Sequence, residues 1–169
     1  INDLAFEPGS SSLFSGGAGG EVNHWLLGRR TRLGQPLPSH GDQVWTVAFS
    51  PDSARLASGS KDSSVGLWDV TSQNARSLTG HDQPVSAVAW SADGELLASG
   101  SQDASVILWD ANNGAAIERL TGRNWVTALA FAPGNNAALL AKADADNQVL
   151  LWDVGTTPAV STTLTESLS

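Results

Sequence analysis

Four tryptophans recur at near-constant spacing: Trp25, Trp68, Trp109 and Trp152 lie 43, 41 and 43 residues apart. Three sit in one repeated tripeptide, Leu67-Trp68-Asp69, Leu108-Trp109-Asp110 and Leu151-Trp152-Asp153. The fourth sits in an eroded copy, Val22-Asn23-His24-Trp25-Leu26-Leu27. Self-similarity at a period of about 40–45 residues marks an array with one four-stranded unit per repeat. The period therefore constrains the fold, and the count of four constrains how the array can end.

Laid over one another, the copies align without gaps around their strand cores. The first strand of each unit reads Ile1–Phe6, Val44–Phe49, Val85–Trp90 and Val126–Phe131, each ending in an aromatic. Turns follow at Glu7-Pro8-Gly9, Ser50-Pro51-Asp52, Ser91-Ala92-Asp93-Gly94 and Ala132-Pro133-Gly134-Asn135. Proline, glycine, asparagine and aspartate supply the dihedrals of tight hairpins. A second strand holds Leu56-Ala57-Ser58-Gly59 or Leu96-Leu97-Ala98-Ser99-Gly100, and a turn carrying Asp62 or Asp103 leads into the third. The fourth strand is more polar, as suits a sheet edge: Arg76–Thr79, Ala116–Leu120 and Val160–Leu164. No segment keeps a helical period of apolar residues, so the expected class is all-β.

Composition removes several functions. A net charge of −8 argues against nucleic acid or an anionic membrane as partner. The one basic cluster, Arg29, Arg30 and Arg32, reads as a solvated turn. With no cysteine there is neither a disulfide framework nor a thiolate metal site. No apolar stretch of transmembrane length and no signal-peptide pattern occurs, which gives a cytoplasmic expectation. Methionine is absent even from position 1, so an excised or processed piece is expected.

Over nearly its whole length the chain resembles the WD-repeat family. The carriers are Gly80-His81 followed 28 residues later by Trp109-Asp110, and Ser39-His40 followed 28 residues later by Trp68-Asp69. The resemblance implies a β-propeller of four-stranded antiparallel blades, four per chain. Residues 1–169 form one unit, with blade cores at 1–27, 33–69, 75–110 and 116–153. It also implies a hydrogen-bonded chain inside each blade, through His40, Ser58, Asp62 and Trp68, then His81, Ser99, Asp103 and Trp109, with Asp146 and Trp152 left in the last copy. Buried imidazole and indole N–H groups need partners, and a turn aspartate accepts several donors.

The same residues invite a hydrolase reading, which repetition counts against. Catalysis needs one nucleophile in one cleft, not one trio per structural unit. The outer copies are eroded: Arg123 takes the histidine position and Lys142 the serine position in the last, and Gly19 replaces the aspartate in the first. The middle two copies are therefore expected to be the rigid centre.

A row of blades ends in two exposed apolar faces unless it closes. The tail Leu164-Thr165-Glu166-Ser167 falls in the register of Leu78-Thr79-Gly80-His81, so head meets tail almost in phase. Residues 159–167 are expected to supply an outer strand for the first blade, in the same chain or in a partner. The expected assembly is a homodimer: two chains closing an eight-bladed ring by exchanging that strand. A four-bladed monomeric ring and a fragment of a longer single-chain propeller are the alternatives.

Function in the family is binding, through the narrower ring face. Carried over by position, that face comprises Gln43, Pro84 and Trp125 before the strand-opening valine, and Trp45, Ser86 and Thr127 after it. Asn2 follows Ile1 in the same way, and Lys61, Gln102 and Ala145 come from the second-to-third-strand turns. Trp45 and Trp125 lie outside the repeat pattern, and exposed tryptophans are enriched at interaction hot spots. The expected function is thus a non-catalytic scaffold binding an unknown protein or peptide. An enzyme reading has little to stand on. His24 alone among the histidines is unassigned, and it is placed level with Gly66 and Ile107. No metal-ligand spacing appears. Gly16-Gly17-Ala18-Gly19-Gly20 lacks the helix and lysine of a phosphate loop. No cofactor is expected.

Overall fold

The computed structural model describes residues 1–29, 31–32, 40–72, 74–134, 138–156 and 159–164. They form four antiparallel sheets of four strands each, and every sheet runs in sequence order. Blade 1 contains β1 (Asp3–Phe6), β2 (Ser12–Gly16), β3 (Val22–Leu26) and β4 (Thr31–Arg32). Blade 2 contains β5 (Val44–Phe49), β6 (Arg55–Ser60), β7 (Ser64–Asp69) and β8 (Ala75–Thr79). Blade 3 contains β9 (Val85–Trp90), β10 (Leu96–Ser101), β11 (Ser105–Asp110) and β12 (Ala116–Thr121). Blade 4 contains β13 (Val126–Phe131), β14 (Leu139–Asp144), β15 (Val149–Asp153) and β16 (Val160–Leu164).

One expectation is corrected by the strand pairing. Within the chain, the described part of the 159–167 segment does not complete the first blade. That part, β16, pairs with β15 from Val149↔Leu164 to Asp153↔Val160. Blade 1 takes its outer strand from β4, with Trp25 opposite Arg32. An outer strand reached by a short connection pairs with its sequence neighbour, because the loop-closure cost is smallest there. Thr165, Glu166 and Ser167, used for the head-to-tail register, lie outside the described residues, as does Arg30 of the basic cluster.

The core lies between blades. Val47 and Phe49 on β5 meet Phe14 and Val22 of blade 1. Val88 and Trp90 on β9 meet Ala57, Val65 and Leu67 of blade 2, and Leu129 and Phe131 on β13 meet Ala98, Val106 and Leu108 of blade 3. The alternation of each inner strand thus sends one row forward and the other back. Close approach is achieved at one recurring position: a Cβ added to Gly59 would run into Val85 and Thr46, and one added to Gly16 or Gly100 would meet Val44 or Val126. Ala143 occupies this position in β14, level with Val149.

The two ends of the array are bare. On blade 1, Leu4 and Phe6, level with Val47 and Phe49, are 54% and 65% exposed. On blade 4, Val149 and Leu164, level with the buried Val65 and Leu78, are 39% and 50% exposed. His24 also shifts from its expected place. It pairs with Phe14 as Leu67 pairs with Ala57, so it replaces Leu67 and Leu108 rather than Gly66 and Ile107. There it stacks on the Phe14 ring, with centroids 4.2 Å apart, and serves packing.

Candidate interaction face and the buried corners beneath it

Blade 3 has the most complete corner. His81, in the loop entering β9, places Nδ1 3.0 Å from Asp103 and Nε2 2.8 Å from Ser99 Oγ. Ser99 Oγ also accepts the indole N–H of Trp109 at 2.8 Å. Asp103 Oδ1 accepts the amide and hydroxyl of Ser105, closing a turn in which Ala104 has a φ of 67°. Asp103 Oδ2 further accepts the Asp82 amide at 3.0 Å and the Arg119 guanidinium at 2.8 Å. Burial alone would raise the Asp103 carboxyl, but the hydroxyl and amide donors together hold it well below the usual aspartate range. Burial pushes His81 down, against the pull of Asp103, so the imidazole is neutral near pH 7.

Blade 2 differs at its tryptophan. His40 reaches Ser58 Oγ at 2.5 Å, Ser64 Oγ at 2.8 Å and Asp62 at 3.2 Å. Trp68 does not join: its indole nitrogen is buried without a partner. The six-membered part of its ring lies over Gly66, where blade 3 carries Ile107. An isoleucine would fill that space and hold the indole off it, so the missing side chain redirects the ring.

The eroded blades rebuild the corner from other residues. In blade 4 the loop residue that follows the Ala104 carbonyl, as His40 follows that of Gly20, is Gly122. Gly122, not Arg123, therefore takes the histidine position, and Arg123 is exposed. The Lys142 ammonium fills the space in front of Gly122 and forms a fully buried ion pair with Asp144 at 3.2 Å. Asp144 Oδ1 accepts the amides of Asp146 and Gln148. It performs the turn role expected of Asp146, which instead accepts a bond from Asn124 at the surface. Trp152 is buried, with the Lys142 ammonium 5.8 Å from its ring centroid. In blade 1 the Glu21 carboxylate lies over Gly17 and Gly19, and Trp25 still donates to Ser15 Oγ at 2.8 Å. Each blade thus keeps a carboxylate at this corner, drawn from one repeat position in blades 2 and 3 and from others in blades 1 and 4.

Above the corners runs a rim. The amide of Lys61 bonds the Gln43 carbonyl, that of Gln102 the Pro84 carbonyl, and that of Ala145 the Trp125 carbonyl, each at 2.9–3.0 Å. Gln43, Lys61, Pro84, Gln102 and Trp125 therefore lie at the same end of the strands in blades 2, 3 and 4. Trp125 is 54% exposed, and Thr127 is exposed beside it. Trp45 is half-buried, with its indole N–H 3.4 Å from Gln43 Oε1, and Lys61 pairs with Asp42 at 3.3 Å. Ser86 ties two blades together, since its hydroxyl bonds the Val126 carbonyl of the next blade, as Asn2 Nδ2 bonds that of Val44. These inter-blade bonds are legible only once the blades are seen side by side. Among the described residues no cluster of three or more His, Asp or Glu is poised for a metal ion, and no helix is long and apolar enough to cross a membrane.

The WD domain, G-beta repeat family matches residues 31–69, 72–110 and 114–153. The chain belongs to the WD40-repeat family. Striatin-4 of Mus musculus is 38% identical over 87 residues, which is 44% of this chain and 11% of that protein. The intraflagellar transport protein 122 homolog of Homo sapiens is 43% identical over 68 residues, 40% of this chain and 5% of its own length. The crystal structure of RRP9 WD40 repeats superposes with a TM-score of 0.86 at 26% identity, over 97% of this chain and 50% of that one. The structure of U3-55K gives the same TM-score over 51% of its chain. This WD40 chain thus spans about half the length of the solved structures it matches and a small part of those curated relatives.

Proposed function

We propose that this WD40 unit is a non-catalytic scaffold that holds a protein or peptide on the rim made by the loops entering β5, β9 and β13. The observation that carries the reading is Trp125. A large aromatic, outside the repeat pattern and more than half exposed, stands at the rim beside exposed Thr127. Aromatic anchors of this kind supply most of the energy at interfaces. Against catalysis, each serine and histidine of the corners is already engaged in hydrogen bonds within its own blade.

The test is affinity isolation with wild-type chain and with Trp125→Ala. The variant is expected to melt within about 1 °C of wild type, since its side chain touches little. It should lose the proteins retained by wild type, with affinity down by roughly 30-fold or more for a hot-spot loss of ~2 kcal/mol. Retention of the same proteins by both would remove the rim as the binding face.

The bare ends require cover, and further WD blades fit them. Leu4 and Phe6 repeat the leading row of blades 2 to 4, and Val149 and Leu164 repeat the trailing row. A second copy could close a ring through these faces, but Ala143 stands where every internal interface has glycine, against the place Ile1 would take. That misfit, and the half-length match to solved propellers, favour blades from a longer polypeptide. Sedimentation at micromolar concentration separates the two: a species of twice 17.5 kDa supports the second copy, and one at 17.5 kDa removes it.

A further inference from the structure

Blades 2 and 3 present the same corner with and without a plug. In blade 3, Arg119 on β12 folds over the corner: Nε donates to Ser105 Oγ at 3.1 Å, and the terminal nitrogens to the Gly80 carbonyl at 3.1 Å and to Asp103 at 2.8 Å. Arg119 sits opposite Ile107 in the ladder. In blade 2 the matching pair is Ser77 opposite Gly66. Arg119 is thus reduced to a hydroxymethyl, while the room of Ile107 is taken by the turned ring of Trp68.

What remains is a cleft of about 350 Å³ on the outer flank of blade 2, lined chiefly by His40, Asp62, Ser64, Gly66, Trp68 and Ser77. Asp62 Oδ2 accepts the Gly41 amide at 2.7 Å and faces His40, as Asp103 Oδ2 accepts the Asp82 amide and faces His81. Among the described residues it has no third, cationic partner. Its side chain is correspondingly 20% exposed, against 7% for Asp103. Arg76 also lines the cleft, but its guanidinium donates to the Asn112 carbonyl of blade 3 at 3.0 Å, and Lys61 pairs with Asp42.

We infer that the blade 2 cleft receives an arginine side chain from a partner protein, whose guanidinium takes the place that Arg119 takes in blade 3. A planar fork matches the carboxylate of Asp62 and the hydroxyl of Ser64, as it matches their counterparts. The indole of Trp68 offers an aromatic wall, which favours guanidinium over ammonium. The net charge of −8 attracts such a partner. The cleft is separate from the Trp125 rim, and it rests on the preceding reading only in taking its arginine from a protein.

The test uses the whole chain with ¹⁵N-labelled tryptophan and the probe N-acetyl-arginine methylamide, followed through the Trp68 indole N–H resonance. A saturable shift is expected, at least 5-fold tighter than for the lysine counterpart and absent from Ser77→Arg, which plugs the cleft from within. Should Ser77→Arg fail to fold, Ser77→Gln fills the same space without charge. No saturable shift, equal binding of the lysine probe, or unchanged binding to the plugged variant each overturns the assignment. Because the probe is a free amino-acid derivative, its failure is distinguishable from failure of the rim.

Discussion

Replacing Asp103 by alanine is expected to cost about 3–5 kcal/mol, the range for removing one partner of a buried charged network. At 169 residues that lowers the melting temperature by roughly 10 °C. The reason is the number of groups left behind. His81 Nδ1, the amides of Asp82 and Ser105, the Ser105 hydroxyl and the Arg119 guanidinium all converge on this one carboxylate. Each buried donor left without an acceptor adds its own desolvation penalty. Asp103→Asn should recover part of the loss, since an amide oxygen still accepts from the turn. Thermal melts of the two variants check this, and a loss below about 1 kcal/mol for alanine would contradict it.

Acid should weaken the same corners by titration. His40 and His81 have folded values lowered by burial, with the neighbouring aspartates pulling the other way. The unfolded chain therefore binds protons that the folded chain refuses. Their contribution is fully present above the ordinary histidine value near 6.5 and is lost as pH falls below it. The depressed Asp62 and Asp103 add a second loss as pH falls below about 4. Melting temperature should thus be flat near pH 7–8 and drop by pH 5.5; a rise on acidification would be the contrary result.

The second large effect separates two aspartates two residues apart. Asp144→Ala is expected to cost about 3–5 kcal/mol, because it strands the buried ammonium of Lys142. Asp146→Ala should stay within about 0.5 kcal/mol, since it removes one surface bond to Asn124. Repeat alignment alone predicts the opposite order, with Asp146 as the counterpart of Asp62 and Asp103. Chemical denaturation of both variants decides between the two. Combining Asp144→Ala with Lys142→Ser should restore part of the loss by removing the stranded charge and returning the serine of the other blades.

Those aspartates show where sequence reasoning stops. Alignment reads which residue stands at which step of a strand, and for the intact blades that suffices: His81, Ser99, Asp103 and Trp109 meet where one repeat is laid over another. It cannot read which side chain fills a given volume. Lys142 reaches across to the room left by Gly122, and Glu21 folds over Gly17 and Gly19, because a long side chain moves into whatever space a glycine vacates. Trp68 turns over Gly66 for the same reason and leaves its indole nitrogen unpaired. The rim was more legible, since Gln43, Pro84 and Trp125 hold one phase in three of the four copies. Ser86 was not, because its hydroxyl answers a carbonyl on the next blade, 40 residues away.

The tail marks the same boundary at larger scale. By phase, 159–167 could complete the first blade or close the last, since both outer strands have the same polar pattern. Pairing β16 with β15 and β4 with β3 was settled in three dimensions, by the register each outer strand takes against its neighbour. From sequence alone came the period, the strands and the family resemblance, since side-chain alternation and turn chemistry are local and repeat visibly. The tertiary structure alone decided which residues share a volume: the differently built carboxylate corners, the open cleft on blade 2, and the bare faces at Leu4 and Val149. Those depend on contacts between segments tens of residues apart, and no single repeat encodes them.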